Sequence, residues 1–456
     1  MTRHTRPELT AEQQVEAKRL RESMLEAAAD EITELAELLA TKTDATMLGE
    51  TEFRVRDIAL RVGAKAIETA LEERKKRGYP GTSIACPKCG ESARFQRWRD
   101  KSVMLLVGSI RVDRAYYHCG HCHSGCFPRD AMLRLGSCDL SPGASWVTAL
   151  AGVLSSFGEA ATKTLVELCG LHLSESTVQR VTEKLGAQVR DHLAAGKTFG
   201  DAQDWDWSKD AEGKTLACVS ADLTGVGMQG PDGAKAEGRM AAVGMVWNPG
   251  REGQVRYVCG ITGGLAALSQ PLRQQAAQVG MDRAERWIAI SDGGSGIEDW
   301  LQLNFPRAEA VILDFYHAAE HLCDWAKVLH ADETEAKTVG ASWCHRLKHE
   351  GGTPVLADLQ KLDVSDRSEA VQEAHRVLLV YFTNQVHRMD YPSYRAKGWP
   401  IGSGPVEAAC KQVVNQRLKG TGMRWGESGA DAVCHLRALF RSEKGQWDAC
   451  KASLAV

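Results

Sequence analysis

The spacing of hydrophobic and polar positions changes several times along the 456-residue chain, and each change predicts a different kind of element. Between residues 11 and 78, apolar positions recur at helical spacing, which predicts two or three amphipathic helices. From about residue 83 to 130, the runs SVMLLVGSI and RVDRAYYHC predict β-strands. Helical spacing returns from 141 to about 195, where a turn at Gly170 between two helices indicates helix-turn-helix spacing.

The second half of the chain alternates strands and helices. Three β-like runs, TLACVSADL, RMAAVGMVW and QVRYVCGIT, precede a helix near 265–280, the strand RWIAIS, a helix from about 295 and the strand AEAVILD. This order is typical of an RNase H-like mixed sheet, although a doubly wound fold with a leading hairpin would read similarly. A helical stretch of about 80 residues, from Tyr316 to Tyr394, then interrupts this domain.

Composition narrows the class of protein. The chain is 43% hydrophobic, enough for several buried cores. Its N-terminus, MTRHTRPELTAEQQ, lacks the apolar core of a signal peptide, and no stretch approaches the roughly 18 apolar residues of a membrane span, so we expect a cytoplasmic protein without a membrane partner. The net charge of -3 gives no global sign of a nucleic-acid partner, so local charge must carry that argument.

Four of the 14 cysteines form two close pairs. These pairs lie in CPKCG and HCGHC, and they are Cys86, Cys89, Cys119 and Cys122. Two C-x2-C turns joined by a β-like segment predict a tetrahedral zinc site. Because all four positions are thiols, we expect structural zinc; Cys126 and His118, His121 and His123 crowd the second pair and remain possible substitutes.

Three acidic residues form the candidate catalytic centre. Asp222 and Asp292 each follow a buried apolar run, and in an RNase H-like sheet the first and fourth strands are neighbours. Glu407 lies in the first turn of the helix that follows WPIGSG, where it is either a helix cap or a third carboxylate of the same site. Clustered carboxylates suit Mg2+ or Mn2+, and two such ions can cleave a phosphodiester. Asp314 also follows a predicted strand, so it is an alternative to Asp292 as the second acid of the site.

Three further groups of residues are candidates for a catalytic or DNA-binding role. His317 and His321 have i, i+4 spacing, but for His317 we favour a catalytic role near the acids over a zinc pair. Four basic residues on or just after the Glu407 helix are the predicted contacts to DNA phosphates, although basic residues on a solvent-exposed helix face would give the same pattern. They are Lys411, Arg417, Lys419 and Arg424.

The run RFQRWRDK lies between the cysteine pairs. Its basic and aromatic residues are equally consistent with a nucleic-acid contact and with the solvent-exposed face of a β-hairpin.

Several motifs together resemble one family. CPKCG, RAYYHCGHC, SDGGSGI, ILDFYHAAEHL and the long block from YFTNQVHRMDYPSY to GMRW are similar to those of the ISKra family of bacterial insertion-sequence transposases, in the DDE superfamily. The resemblance implies an RNase H-like catalytic domain with a helical insertion, N-terminal DNA-binding modules, and metal-dependent cleavage of transposon ends in the bacterial cytoplasm. It implies Asp222, Asp292 and Glu407 as the triad, and transposon-end and target DNA as partners of a homodimer or higher oligomer.

We therefore predict a multidomain α+β protein with six segments. They are an N-terminal helical region (1–82), a zinc ribbon (83–130), a helix-turn-helix-like DNA-binding region (131–200), the first part of an RNase H-like core (214–315), a helical insertion (316–395) and the C-terminal helices of the core (396–456). Two alternative functions stay open. One is a zinc-ribbon and helix-turn-helix DNA-binding protein without cleavage activity, and the other is a metal-dependent hydrolase of small phosphate esters.

Overall fold

The computed structural model describes residues 8–43, 48–136, 139–234, 236–294, 296–443 and 445–454. It shows a mixed α+β chain. Two compact units divide it: the first comprises the chain up to Ala151 with Phe157–Val178, and the second comprises Gly152–Ser156 with Gln179–Leu454. Within the described residues, no helix combines the length and apolarity needed to cross a membrane.

Strands and helices in the N-terminal part follow the predicted change from helical to β spacing and back. The helices are α1 (Ala11–Ala27), α2 (Ala29–Ala40), α3 (Glu50–Glu73), α4 (Pro128–Met132), α5 (Pro142–Leu154), α6 (Phe157–Glu159), α7 (Leu165–Cys169) and α8 (Glu175–Ala194). The strands are β1 (Ser83–Ala85), β2 (Ser92–Leu105), β3 (Gly108–Cys119) and β4 (Gly125–Cys126), which pair antiparallel in that order. Gly170 ends α7 in the left-handed conformation, with φ 65°, so the predicted turn lies where glycine is favoured.

The second unit is built on a five-stranded sheet. Its strands are β5 (Leu216–Val226), β6 (Arg239–Trp247), β7 (Val255–Gly260), β8 (Arg286–Ser291) and β9 (Ala308–Leu313). The order across the sheet is β7-β6-β5-β8-β9; β5, β6 and β7 pair antiparallel, and β8 and β9 run parallel to β5. The predicted neighbours, the first and fourth of these strands, are therefore paired.

Helices cover both faces of this sheet. They are α9 (Gly264–Gln278), α10 (Ile297–Asn304), α11 (Phe315–Leu329), α12 (Glu333–Glu350), α13 (Gly352–Lys361), α14 (Glu369–Gln385) and α15 (Tyr391–Ala396). Alternate residues of β5 point to opposite faces, as a strand requires: Ala217 and Val219 pack with α9 and α10, whereas Leu216 and Cys218 pack with α11–α15. The helices α11–α15, which follow β9 and are called the insertion below, begin and end at one place, because the backbone N–H of Phe315 donates to the carbonyl of Ile401 at 2.9 Å.

A continuous helical segment follows the insertion. It consists of α16 (Gly404–Ala409), a π-helical turn over Cys410–Asn415 and α17 (Gln416–Leu418), and it is followed by α18 (Glu427–Arg441) and α19 (Gln446–Ser453). The π turn is held from outside: the buried guanidinium of Arg437 donates to the carbonyls of Val413, at 2.8 Å, and Gln412. Such π turns are often found at functional sites.

Candidate active site

Three aspartates lie in one row across neighbouring parallel strands. The pairing Ser220–Ile290 between β5 and β8, continued by two residues, brings Asp222 level with Asp292. The pairing Ser291–Leu313 between β8 and β9, continued by one residue, brings Asp292 level with Asp314. Neighbouring strands lie about 4.8 Å apart, so the three carboxylates lie along one edge of the sheet, on the face that the insertion covers.

The structure differs from the sequence-based expectation for the position of Asp222. This residue lies inside β5 and not after its end, because β6 continues to pair with β5 as far as Val226. Asp292 and Asp314 do follow directly after β8 and β9, as predicted. Asp314 is also the N-cap of α11, since its Oδ1 accepts the backbone N–H of Tyr316 at 2.9 Å.

Glu407 lines the same cavity as the three aspartates and lies on a helix near the C-terminus. Ser403 precedes α16, and its carbonyl accepts the N–H of Glu407 at 3.0 Å, so Glu407 lies in the first turn with its side chain exposed. One cavity of about 210 Å³ is lined by the three aspartates and this glutamate, together with Tyr316, His317, Glu320, Ser403 and Val406. The fold thus brings together all four acids considered from the sequence.

The cavity concentrates negative charge. In the described part of the chain, no Lys, Arg or His nitrogen lies within 4.0 Å of any of these four carboxylates. Burial raises the pKa of Asp222, and the negative charges of Asp292 and Glu407 raise it further, whereas a hydrogen bond from the Cys410 thiol opposes the rise. A cation in the cavity would relieve this repulsion, because it favours the ionised form of each acid.

The lining suits hard divalent cations. Carboxylate oxygens are the ligands that Mg2+ and Mn2+ prefer. Among the described residues, only the cysteine set below brings three or more potential ligand atoms within 4.8 Å of one another, so the acidic oxygens are not gathered around one point. In two-metal sites the ions lie about 3.5–4 Å apart, so their ligands need not all converge on a single ion.

His317 lines the acidic cavity, as the sequence predicted, and is 38% exposed. Its ring lies edge-on to His321, with centroids 5.1 Å apart, and His321 stacks on Tyr381 of α14 at 3.8 Å. Burial lowers the pKa of His321, and the neighbouring His317 lowers it further. Aromatic stacking therefore accounts for His321, and His317 is the histidine that faces the carboxylates.

Three of the four predicted DNA contacts are exposed, namely Lys411, Lys419 and Arg424. The prediction for Arg417 was wrong, because this side chain is buried, with 2% exposed. Its Nε donates to the carbonyl of Gly152 at 2.7 Å, and its guanidinium lies 4.9 Å from the ring centre of Trp425. Arg417 therefore supports the fold and does not present its charge to a phosphate.

The four cysteines of the first unit form a separate cluster that could hold a metal ion. All four sulfurs lie within 4.8 Å of one another, with Cys86 and Cys122 at 3.6 Å and Cys89 and Cys119 at 3.6 Å. Tetrahedral zinc with bonds of about 2.3 Å requires sulfurs roughly 3.8 Å apart, so the spacing fits. Cys126 and the nearby histidines are not part of this set.

A comparison with known proteins adds no assignment: no family model matches the chain, and no curated protein sequence matches it. The candidate site therefore rests on its own geometry.

Two contributors to the site were missed from the sequence. Ser403 is buried, and its Oγ lies 2.6 Å from Asp314 Oδ2 and 2.9 Å from Glu407 Oε1. Cys410 donates its thiol to Asp222 Oδ2 at 3.2 Å from the π turn. The sequence does contain a sign of the role of Ser403, because it is a polar residue between two glycines in IGSG. Nothing in the sequence around Cys410 indicates its contact with Asp222.

Proposed function

We propose that the protein is a DNA transposase of the DDE type, with an RNase H-like catalytic domain, as its resemblance to the ISKra family implies. The observation that carries the proposal is the alignment of Asp222, Asp292 and Asp314 at one sheet edge, with Glu407 lining the same cavity. Such a domain is expected to have three antiparallel strands, two further strands parallel to the first, and here a helical insertion after the last strand.

Asp222, Asp292 and Glu407 would hold Mg2+ or Mn2+ in this cavity. When bound there, the divalent cations would activate the attacking oxygen and stabilise the leaving oxygen of a DNA phosphodiester. The exposed cations Lys411, Lys419 and Arg424 would attract the DNA backbone beside the acids. His317 borders the cavity and is placed to exchange a proton with a group bound there.

The cysteine cluster supports a structural role for zinc. Because four thiolates fill the coordination sphere, no position remains for water or substrate. We assign the cluster to folding of the DNA-binding part and not to catalysis.

The test is cleavage of DNA that carries both flanks of the gene, by the full-length zinc-loaded chain with Mg2+ or Mn2+. Glu407→Gln should abolish strand cleavage and leave DNA binding in a gel-shift assay nearly unchanged. The matched control is Glu427→Gln, because Glu427 is also an exposed first-turn acid, at the start of α18. Glu407→Asp, which keeps the charge on a side chain shorter by one methylene, should also cripple cleavage.

A role as a helix cap predicts that Glu407→Gln and Glu427→Gln behave alike, with normal cleavage and stability changes of at most about 1 kcal/mol. Near-normal cleavage by Glu407→Gln would therefore remove this residue from the site. Tight DNA binding by a wild-type chain that never cleaves would favour a DNA-binding protein instead.

A further inference from the structure

Ser403 lies between two carboxylates but has a single hydroxyl proton. Its Oγ is 2.6 Å from Asp314 Oδ2 and 2.9 Å from Glu407 Oε1, and only 3% of the residue is exposed. A hydroxyl donates one hydrogen bond and accepts two. It therefore cannot donate fully to both acids at once, and the three groups form one coupled hydrogen-bonded unit.

Asp314 differs from the other acids of the cavity in its surroundings. It is 1% exposed, and both of its oxygens have protein donors, the N–H of Tyr316 on Oδ1 and Ser403 on Oδ2. Asp292 is partly exposed, and within the described residues its hydrogen-bond donor is the N–H of Gly294, at 3.0 Å on Oδ1. Both oxygens of Asp314 are thus held by hydrogen bonds within the protein, whereas Oδ2 of Asp292 is left to interact with a group in the cavity.

The loop before α16 places Ser403 between these acids. The N–H of Phe315 donates to Ile401 at 2.9 Å, which fixes the loop beside the start of α11. At Gly402, an added Cβ would lie 2.7 Å from the ring of Tyr316 and 3.7 Å from Asp314 Oδ1, so a larger residue here would displace that ring. The loop thus passes close to the start of α11, immediately before the serine that contacts Asp314.

We propose that Asp314 and Ser403 are positioning residues for Glu407, and that Asp314 acts through the serine and does not itself bind a cation. The inference rests on the proposed function, since it assigns Glu407 a ligand role. Asp314 orients the hydroxyl, and the hydroxyl orients the otherwise exposed glutamate toward Asp222 and Asp292. Residues behind metal ligands commonly have this role.

Asparagine at position 314 separates positioning from ligation. In Asp314→Asn, the amide oxygen can still accept the N–H of Tyr316, and the amide nitrogen can donate to Ser403 Oγ. The serine proton is then wholly available to Glu407, so the arrangement survives. A direct cation ligand would instead lose its charge, as in Asp292→Asn.

The experiment measures Mn2+ binding to the zinc-loaded full-length chain by calorimetry, with DNA cleavage measured in parallel. We expect Asp314→Asn to bind Mn2+ nearly as tightly as wild type, and Asp292→Asn to lose measurable binding. Ser403→Ala should weaken binding about tenfold, a typical effect for a group behind a ligand, and Ser403→Thr should restore it. Thermal unfolding checks that each variant is folded.

Loss of Mn2+ binding in Asp314→Asn to the extent seen in Asp292→Asn would show that Asp314 is a ligand and overturn the inference. Unchanged affinity in Ser403→Ala would also overturn it, as would a wild-type chain that binds no Mn2+. If wild type binds Mn2+ but does not cleave DNA, the proposed function fails, while the affinities of the variants still decide the roles of Asp314 and Ser403.

Discussion

Replacing Arg417 tests whether a basic residue beside the acidic cavity serves the fold or the DNA. Its spacing in the sequence groups it with the cationic residues Lys411 and Arg424, but the structure buries it. Burial lowers the pKa of the guanidinium to about 10, so it remains charged at neutral pH. Arg417→Ala should therefore lower stability and leave the electrostatic part of DNA binding unchanged.

The magnitude follows from the contacts of the side chain. A charged hydrogen bond to a buried carbonyl, here that of Gly152 at 2.7 Å, contributes about 1.5–3 kcal/mol. A guanidinium 4.9 Å from the Trp425 ring adds about 0.5–2 kcal/mol. We expect Arg417→Ala to reduce the free energy of unfolding by roughly 2–5 kcal/mol, a large fraction of the usual 5–15 kcal/mol.

Urea unfolding and the salt dependence of DNA binding are the two assays. Lys411→Ala and Arg424→Ala are the controls, because both side chains are exposed. Each control should change the free energy of unfolding by less than about 0.5 kcal/mol. Each should also reduce the salt slope, the steepness with which the logarithm of the DNA-binding constant falls with the logarithm of salt concentration, by about one. Arg417→Lys keeps the charge but not the planar group that stacks on Trp425, so it should also destabilise the protein.

The opposite pattern would refute this reasoning. If Arg417→Ala lost one unit of salt slope at unchanged stability, and Arg417→Lys restored binding, Arg417 would be a phosphate contact after all. An unchanged slope in both controls would show instead that the exposed cations form a solvated helix face.

Two further variant pairs test the packing and the metal cluster. Cys119→Ser should lose about one equivalent of zinc by metal analysis and should destabilise the first unit, whereas Cys126→Ser should keep its zinc. Zinc retained in Cys119→Ser would contradict the assigned ligand set. An added Cβ in Gly186→Ala would lie 2.1 Å from a backbone oxygen of α18, so despite a better helix propensity we expect a loss of about 1–3 kcal/mol in thermal unfolding. Gly429→Ala meets only the movable carboxylate end of Glu183, at 2.4 Å, and should be much milder; equal effects would argue against the backbone clash.

The strands that carry the acids could be predicted because buried parallel strands read as continuous apolar runs. RWIAIS coincides with β8 and AEAVILD contains β9, and Asp292 and Asp314 follow these two strands as expected. The end of β5 could not be predicted, because its last residues are held by β6 alone, on one side. The three aspartates lie side by side because of the register between neighbouring strands. Register depends on contacts between distant segments, so it could not be read from the local sequence.

The side chains that support the site were harder to predict. Arg417 lies three and four residues after Val414 and Val413, on the apolar face of the helix, and this spacing was the available sign that it is buried. The hydrogen bond from Ser403 to Asp314 joins residues 89 positions apart, so it forms only after the helices between them have folded back. Local pattern identifies an element, whereas long-range contacts decide which polar group it buries.

The hydrogen bond between Phe315 and Ile401 has a consequence for how the chain tolerates changes in length. Because the insertion leaves and rejoins the core at adjacent residues, its ends need not separate when its helices grow or shorten. The entropy of closing such a loop rises only slowly with length, by about 0.6 kcal/mol for each doubling. Residues added at a helix junction far from this closure would enlarge the surface offered to partners while the distances between the carboxylates stay the same.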